Sequence, residues 1–268
     1  MTKNKTKMPV LFIGHGTPMN AVEDNEFSRE WKRLSSRIPR PRAVVCISAH
    51  WLDNKTTVSA AGHAQTIYDF YGFPDELYRV HYAPPADAAL SQKISALLKD
   101  FNAGIDSKRG LDHGAWCFLK HTYPKADIPV IEISIDYGKD MSYHFELAKR
   151  LLPLREEGVL IAGSGNMVHN LRLARSGEDG FNTEMYYDWA QRCNDILKDK
   201  ITSGKFEDLL EYNTLSEEMQ LAVPVADHYI PLLYALALKD KGDKVSLFND
   251  KIVGGSLSMT SLFIGEAL

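Results

Sequence analysis

The feature that most constrains the fold of this 268-residue chain is a series of short, uninterrupted apolar segments along its length. Uninterrupted rather than alternating apolar residues are typical of strands that are buried on both faces of a sheet. The predicted strands are residues 10–13, 43–49, 57–60, 130–134, 159–162 and 245–248, with 258–264 as a candidate final strand.

Segments with helical periodicity lie between these strands. The predicted helices are residues 86–100, 142–152, 184–201 and 226–239. Strands that alternate with helices predict an α/β fold with a central, mainly parallel sheet flanked by helices. No internal repeat, low-complexity tract or Pro/Gly/Ser-rich linker divides the sequence, so we expect residues 1–268 to form a single domain.

The charge and hydropathy of the chain argue against two classes of partner. The formal net charge is −4 and no basic run is present, which gives no reason to expect nucleic acid. No segment approaches the roughly 18 apolar residues of a membrane-spanning helix. The apolar run after the basic N-terminal residues is too short for a signal peptide. We therefore expect a cytoplasmic protein that acts on small molecules.

The cysteines do not suggest a metal site. Cys46, Cys117 and Cys193 are odd in number and far apart, and none forms a CxxC pair. We expect all three to be reduced and buried, as small apolar residues of the interior.

Three of the nine histidines follow closely on predicted strands, namely His15, His50 and His169. In an open α/β sheet, ligands bind outside the carboxyl ends of the strands. A single histidine in such a place is usually structural, but three separate strand exits ending near histidine are hard to attribute to packing. Imidazoles gathered at this edge can bind a metal or move protons, so the pattern favours a mononuclear metal enzyme.

Two further histidines are candidates for the same edge. His228 lies in the predicted first turn of the helix at 226–239, where the helix dipole favours the neutral imidazole that a metal requires. The alternative is a surface histidine at a helix start. His113 precedes an apolar helix, and Asp112 beside it is able to orient it. The remaining histidines are interpreted as structural: His63, His81, His121 and His144.

Carboxylates and aromatic residues complete the set of candidates. Non-haem Fe(II) oxygenases commonly use two histidines and one carboxylate, and three acids qualify for that role: Asp112, Glu132 and Asp227. The segment from Tyr68 to Pro74 is rich in aromatic residues. It is interpreted either as the lining of a pocket for a flat ring or as a small satellite core beneath a loop.

These motifs together resemble the class III extradiol ring-cleaving dioxygenases, specifically the DOPA 4,5-dioxygenase-like branch related to protocatechuate 4,5-dioxygenase beta subunits. The matching stretches occur in order along nearly the whole chain. They are Gly14-His15-Gly16-Thr17-Pro18, Ser48-Ala49-His50-Trp51, Tyr68-Asp69-Phe70-Tyr71-Gly72-Phe73-Pro74, Leu111-Asp112-His113-Gly114, Gly163-Ser164-Gly165-Asn166-Met167-Val168-His169-Asn170 and Asp227-His228.

The resemblance implies an α/β catalytic domain with one non-haem metal. It implies that His15, His50 and His228 are the metal ligands, that His169 is the acid/base group, and that His113 is a second catalytic histidine of the pocket. The chain departs from the protocatechuate enzymes at the third ligand, where they use a carboxylate. An all-histidine set also suits Zn(II), so we expect Fe(II) for dioxygenase activity or Zn(II) in the protein as isolated.

The sequence therefore predicts an extradiol dioxygenase that cleaves a catechol, with L-DOPA as the candidate substrate and dioxygen as co-substrate. Tyr71 and Phe73 are the candidate substrate-pocket residues. Two alternatives stay open at this point. One is a zinc-dependent hydrolase that uses the same ligands. The other is a non-enzymatic interaction protein on the same scaffold. The sequence leaves the oligomeric state undetermined.

Overall fold

A computed structural model of the protein describes residues 7–62 and 64–266. In chain order, its strands are β1 (Val10–Gly14), β2 (Ala43–Ser48), β3 (Leu52–Asp53), β4 (Thr57–Ser59), β5 (Gly104–Asp106), β6 (Val130–Glu132), β7 (Ile135–Asp136), β8 (Val159–Gly165), β9 (Lys244–Phe248), β10 (Ile252–Val253), β11 (Leu257–Ser258) and β12 (Ser261–Gly265). The α-helices are α1 (Glu26–Arg37), α2 (Ala88–Leu97), α3 (His113–Thr122), α4 (Met141–Lys149), α5 (Pro153–Glu156), α6 (Asp188–Thr202), α7 (Met219–Ala222) and α8 (Ile230–Ala237). His63, one of the histidines predicted to be structural, lies outside the described residues.

The principal sheet has six strands in the order β6-β2-β8-β1-β12-β9. Strands β6, β2, β8 and β1 are parallel to one another, whereas β12 runs antiparallel to both of its neighbours. This arrangement confirms the predicted α/β fold with a central, mainly parallel sheet. Because the first four strands are parallel, their carboxyl ends lie at one edge of the sheet.

Hydrophobic cores cover both faces of this sheet. Along β1, Val10 and Phe12 belong to one buried cluster, and Leu11 and Ile13 belong to the other. Helices α4, α6 and α8 contribute to the first cluster, and helices α1 and α3 contribute to the second. Burial on both faces explains why the strand sequences are apolar without alternation. None of the helices in the described part of the chain is long and apolar enough to cross a bilayer.

Two of the predicted strands have different partners from those expected. Residues 57–59 do not form a strand of the principal sheet. Strand β4 pairs in parallel with β5, and Val58 forms an isolated antiparallel bridge with Ile133, the residue after β6. The sequence of β5 carries a single apolar residue and gave no strand signal. The predicted strand at 258–264 divides into β11, which pairs with β10, and β12, which pairs with β1. Met259 marks the break, since its N–H donates to the Lys251 carbonyl rather than to a strand.

The helix boundaries also differ from the predicted ones. Helix α6 begins at Asp188 and helix α8 begins at Ile230, each four residues after the predicted start. Pro231, which lacks an N–H, occupies the second position of α8 and fits only in the first turn of a helix. Helix α1 was not predicted, although Asn25 and Ser28 form a reciprocal capping box at its start.

Among the described histidines that were predicted to be structural, His144 is the most buried. Its Nδ1 lies 3.2 Å from the Tyr234 hydroxyl, and burial lowers the pKa of His144 to about 4. His121 contacts the Asn20 carbonyl at 2.8 Å, and His81 is exposed. The three cysteines, Cys46, Cys117 and Cys193, are buried and unpaired, as predicted.

Candidate metal centre

Two of the candidate histidines lie on either side of the end of β8. His15 directly follows β1, and its N–H donates to the Gly165 carbonyl at 3.1 Å. His50 follows β2, and the N–H of the preceding Ala49 donates to the Ser164 carbonyl at 2.9 Å. The sheet register thus continues into the loops and places both imidazoles at the carboxyl edge of the sheet.

His228 reaches this edge because Gly163 and Gly165, near the end of β8, carry no side chains. A Cβ on Gly165 would lie 2.1 Å from the His228 carbonyl oxygen, so only glycine permits the approach. Gly163 has the same role beside Pro231, where a Cβ would lie 2.2 Å from the carbonyl oxygen. The Asn166 N–H then donates to the His228 carbonyl at 2.9 Å and fixes the contact. His228 therefore lies in a turn before α8, and its predicted place in the first helical turn was wrong.

The ring nitrogens of His15, His50 and His228 converge on one region. The two Nε2 atoms of His15 and His50 are 3.1 Å apart. One ligand nitrogen from each of the three rings lies within 4.8 Å of the others. His15 and His228 are buried and His50 is half-buried. Three imidazoles with nitrogens this close form a donor set of the kind that binds one divalent ion.

A polar neighbour lies beside Nδ1 of each ring. Nδ1 of His15 lies 3.0 Å from the Ser164 hydroxyl, whose proton is donated to the Gly114 carbonyl. The hydroxyl must therefore accept from His15, which leaves Nε2 of that ring with its lone pair. Nδ1 of His50 lies 3.3 Å from Asp69, and Nδ1 of His228 lies 3.0 Å from Asp227. Partners of this kind fix the tautomer and orientation of metal-binding histidines.

The electrostatic surroundings keep two of the candidate ligands, His15 and His50, neutral. Burial lowers the pKa of His15 and of His50 well below the usual value, and the neighbouring imidazoles lower it further. Both rings are therefore uncharged at pH 7 and have a nitrogen lone pair available. A neutral imidazole is the form that binds metal, so these residues fit a divalent ion.

His169 lies against one of these rings. Its imidazole stacks on His228 with ring centroids 3.6 Å apart and ring planes 8° apart. Its backbone N–H donates to the Ala222 carbonyl at 2.9 Å, which fixes the residue beyond the end of β8. Burial, followed by the charge of His228, lowers the pKa of His169, so the half-buried ring is neutral at pH 7 and able to accept a proton.

His113 approaches the cluster from another element. It is the first residue of α3, which Asp112 caps. The ring of His113 is 3.9 Å from that of His50 and 5.5 Å from that of His15, measured between centroids. Its Nδ1 lies 2.9 Å from Asp69. The structure thus brings all five candidate histidines together at the edge of the sheet.

The carboxylates considered as third ligands have other partners. Asp112 accepts from the Ser48 hydroxyl at 2.6 Å and from Arg109 at 2.8 Å. Glu132 is completely buried and accepts from the Asp112 N–H at 3.2 Å. Burial raises the pKa of both acids. Asp227 accepts from His228, so it supports a histidine of the cluster.

The aromatic segment is divided between solvent and core. The side chain of Tyr71 is 92% exposed, so the structure does not bring this predicted pocket residue to the histidine cluster. Phe73 packs on the core and on Phe70, with ring centroids 5.4 Å apart. Phe70 meets the ring of His113 edge-on, with ring centroids 5.5 Å apart. The sequence interpretation did not single out Phe70, Asp69 or Ser164.

Known proteins resemble the chain along nearly its whole length. Residues 9–258 match the family model described as the catalytic LigB subunit of aromatic ring-opening dioxygenase. A protein of Escherichia coli K12 named 4,5-DOPA dioxygenase extradiol is 42% identical, and the match covers 98% of this chain and 96% of that one. A Beta vulgaris protein of the same name is 36% identical over 94% of each chain. A crystal structure of an uncharacterized protein from Escherichia coli K12 is similar with a TM-score of 0.84 at 38% identity, covering 96% of this chain and 100% of that one.

Proposed function

This chain belongs to the LigB family of aromatic ring-opening dioxygenases, and we propose that its substrate is L-DOPA and that His15, His50 and His228 hold its metal. As a member of this family it is an extradiol dioxygenase, which opens the ring of a catechol beside the diol with dioxygen. Enzymes of the family use a single non-haem metal. The relatives named 4,5-DOPA dioxygenase support L-DOPA as the substrate.

The convergence of three imidazoles carries this proposal. In each ring Nδ1 lies beside a polar neighbour, and one ligand nitrogen of each ring lies within 4.8 Å of the others. When bound there, the ion supplies a Lewis acid for the catechol oxygens and, if it is iron, a carrier of electrons between catechol and dioxygen. We propose Fe(II) as the active ion, with Zn(II) as the ion that an all-histidine site retains on isolation.

His169 is proposed as the acid/base group. Its neutral ring lies beside His228 and is able to take the proton that a catechol hydroxyl releases on binding. The resulting imidazolium then returns a proton to the ring-opened product. An imidazole suits both transfers, because its ordinary pKa is close to neutral.

His113 and the aromatic residues beside it are proposed to orient the catechol. Since Nδ1 of His113 is held by Asp69, its Nε2 remains to accept a hydrogen bond from a substrate hydroxyl. Phe70 packs edge-on against the same imidazole and offers an apolar surface to the aromatic ring. Phe73 supports Phe70 from the core side. Tyr71 contributes only if its exposed side chain turns toward the bound substrate.

We propose in addition that residues 1–268 form one catalytic domain and that the enzyme acts in the cytoplasm. A single six-stranded sheet with a core on each face supports the first statement. Three unpaired cysteines, as is usual in a reducing compartment, support the second.

The two hydroxyl groups of the substrate provide the test of this function. With the protein reconstituted anaerobically with Fe(II), L-DOPA is expected to drive oxygen uptake and form a yellow ring-opened product, whereas tyrosine is expected to be inert. Removing one hydroxyl removes one bond to the metal and one ionisable proton. The Zn(II) form is expected to be inactive, because zinc does not change oxidation state.

An oxygen electrode makes this comparison, with protein-free Fe(II) and L-DOPA as the control for autoxidation. Equal uptake with tyrosine, or full activity of the Zn(II) form, would contradict catechol chelation to a redox-active ion. Failure of every catechol tested would favour a hydrolase or a binding protein.

A further inference from the structure

Asp69 differs from the other side chains that support the histidine cluster, because it contacts two of the rings. Ser164 holds His15 alone, and Asp227 holds only the neighbouring His228. One oxygen of Asp69, Oδ2, lies 2.9 Å from Nδ1 of His113 and 3.3 Å from Nδ1 of His50. Its other oxygen, Oδ1, accepts from the backbone N–H of His113 at 3.0 Å.

The segment that carries Asp69 is fixed to the entry of α3. Ile67 N–H donates to the Leu111 carbonyl and Leu111 N–H donates to the Gln65 carbonyl, both at 2.8 Å. The Trp116 indole donates to the Ile67 carbonyl at 2.9 Å. Gly110 permits this close pairing, since a Cβ there would lie 2.2 Å from the Gln65 carbonyl oxygen. The backbone just before Asp69 is therefore held in place by contacts that involve neither His50 nor His113.

These contacts define what the carboxylate does to the two rings. An ionised carboxylate only accepts hydrogen bonds, so Nδ1 of His113 carries its proton, and the same negative charge 3.3 Å from Nδ1 of His50 favours a proton there as well. In a neutral imidazole with its proton on Nδ1, Nε2 is the acceptor. The side chain of Asp69 is only 21% exposed, so most of it is shielded from solvent.

From this geometry we propose that Asp69 is a positioning residue that sets the tautomer and orientation of His50 and His113 together. Through His50 it orients a metal ligand, and through His113 it orients an acceptor for the substrate hydroxyl. The proposal rests on the roles proposed above for these two histidines. It assigns to the loop at 68–73 a function beyond apolar contact with the ring.

Replacing Asp69 by asparagine tests the proposal without changing the size of the side chain. The amide group keeps one acceptor oxygen and presents N–H donors in place of the other, so at least one of the three contacts is lost. The matched control is Asp75→Asn, because Asp75 is on the same loop with its side chain 92% exposed. Both substitutions remove one negative charge. Thermal unfolding of each variant shows whether it is still folded.

The first measurement is the affinity for Zn(II), determined by competition with a chelator. Changes to groups that orient metal-bound histidines typically cost about 10–100-fold in affinity. Asp69→Asn is expected to bind Zn(II) more weakly by a factor in this range, while Asp75→Asn binds as the unmodified protein does. An Asp69→Asn affinity equal to that of Asp75→Asn overturns the role at His50. This measurement needs no catechol, so its result does not depend on whether the proposed dioxygenase activity is correct.

The second measurement is turnover of the Fe(II) form at saturating metal, in a double-mutant cycle with His113→Ala. If Asp69 acts through His113, Asp69→Asn lowers kcat more than it raises KM, and its effect on kcat shrinks in the His113→Ala background. A purely structural loss would reduce kcat by the same factor in both backgrounds. That outcome would overturn the role at His113, and with it the proposal that one carboxylate positions both rings.

Discussion

Replacing any one of His15, His50 and His228 by alanine is expected to remove tightly bound metal and to abolish ring cleavage. Each substitution deletes one of three imidazoles whose ligand nitrogens lie within 4.8 Å of one another. It also removes the ring that contacts one supporting group, Ser164, Asp69 or Asp227. The loss of metal affinity should exceed the roughly 10–100-fold that follows from changing a supporting group alone.

The metal content after dialysis, measured by elemental mass spectrometry, checks this result. His81→Ala serves as the control, because His81 is exposed. The ligand assignment is wrong if all three alanine variants retain full metal occupancy. Full retention by one variant alone would remove that residue from the set.

Replacing His169 by alanine is expected to lower turnover by about 10²–10⁴-fold, the usual contribution of a general acid–base group. The metal content is expected to stay near that of the unmodified protein, since His169 contacts the cluster by stacking on His228. Steady-state oxygen uptake and metal analysis on the same sample separate the two effects.

Two different outcomes would contradict the proposed role of His169. Near-normal turnover would exclude the acid/base role. Loss of the metal would instead make His169 a fourth ligand, an arrangement compatible with the close grouping of His169, Asp227 and His228.

The sheet and its histidines were predictable because both leave local signals in the sequence. Strands β1, β2 and β8 are buried on both faces and therefore appear as uninterrupted apolar runs. In parallel strands the carboxyl ends share one edge, so His15 and His50 were expected to be neighbours. The two glycines of β8 that admit His228 also belong to a sequence recognised as a strand exit.

The supporting groups were not predictable from the same patterns. Asp69 is 44 residues from His113 and lies in an irregular loop, so no periodicity relates the two. Ser164 looks like any small residue of a buried strand, and its role depends on a proton donated to the Gly114 carbonyl. Such roles depend on tertiary contacts, which produce no regular spacing of residues in the sequence.

The displaced boundaries have local physical causes. Helix α8 starts later than its hydrophobic period suggested, because Pro231 is compatible only with the first turn. Helix α1 was missed although Phe27, Trp31 and Leu34 have helical spacing and are buried. The capping box at Asn25 was the signal that would have identified it.

The measurement that tests the central claim most directly is the stoichiometry of oxygen uptake by the Fe(II) form with L-DOPA, combined with the mass of the product. The account predicts one molecule of dioxygen consumed for each catechol and a product heavier than L-DOPA by two oxygen atoms, with no hydrogen peroxide released. Oxygen uptake that yields a quinone and peroxide, or no uptake at all, would contradict the assignment of this histidine cluster to ring cleavage.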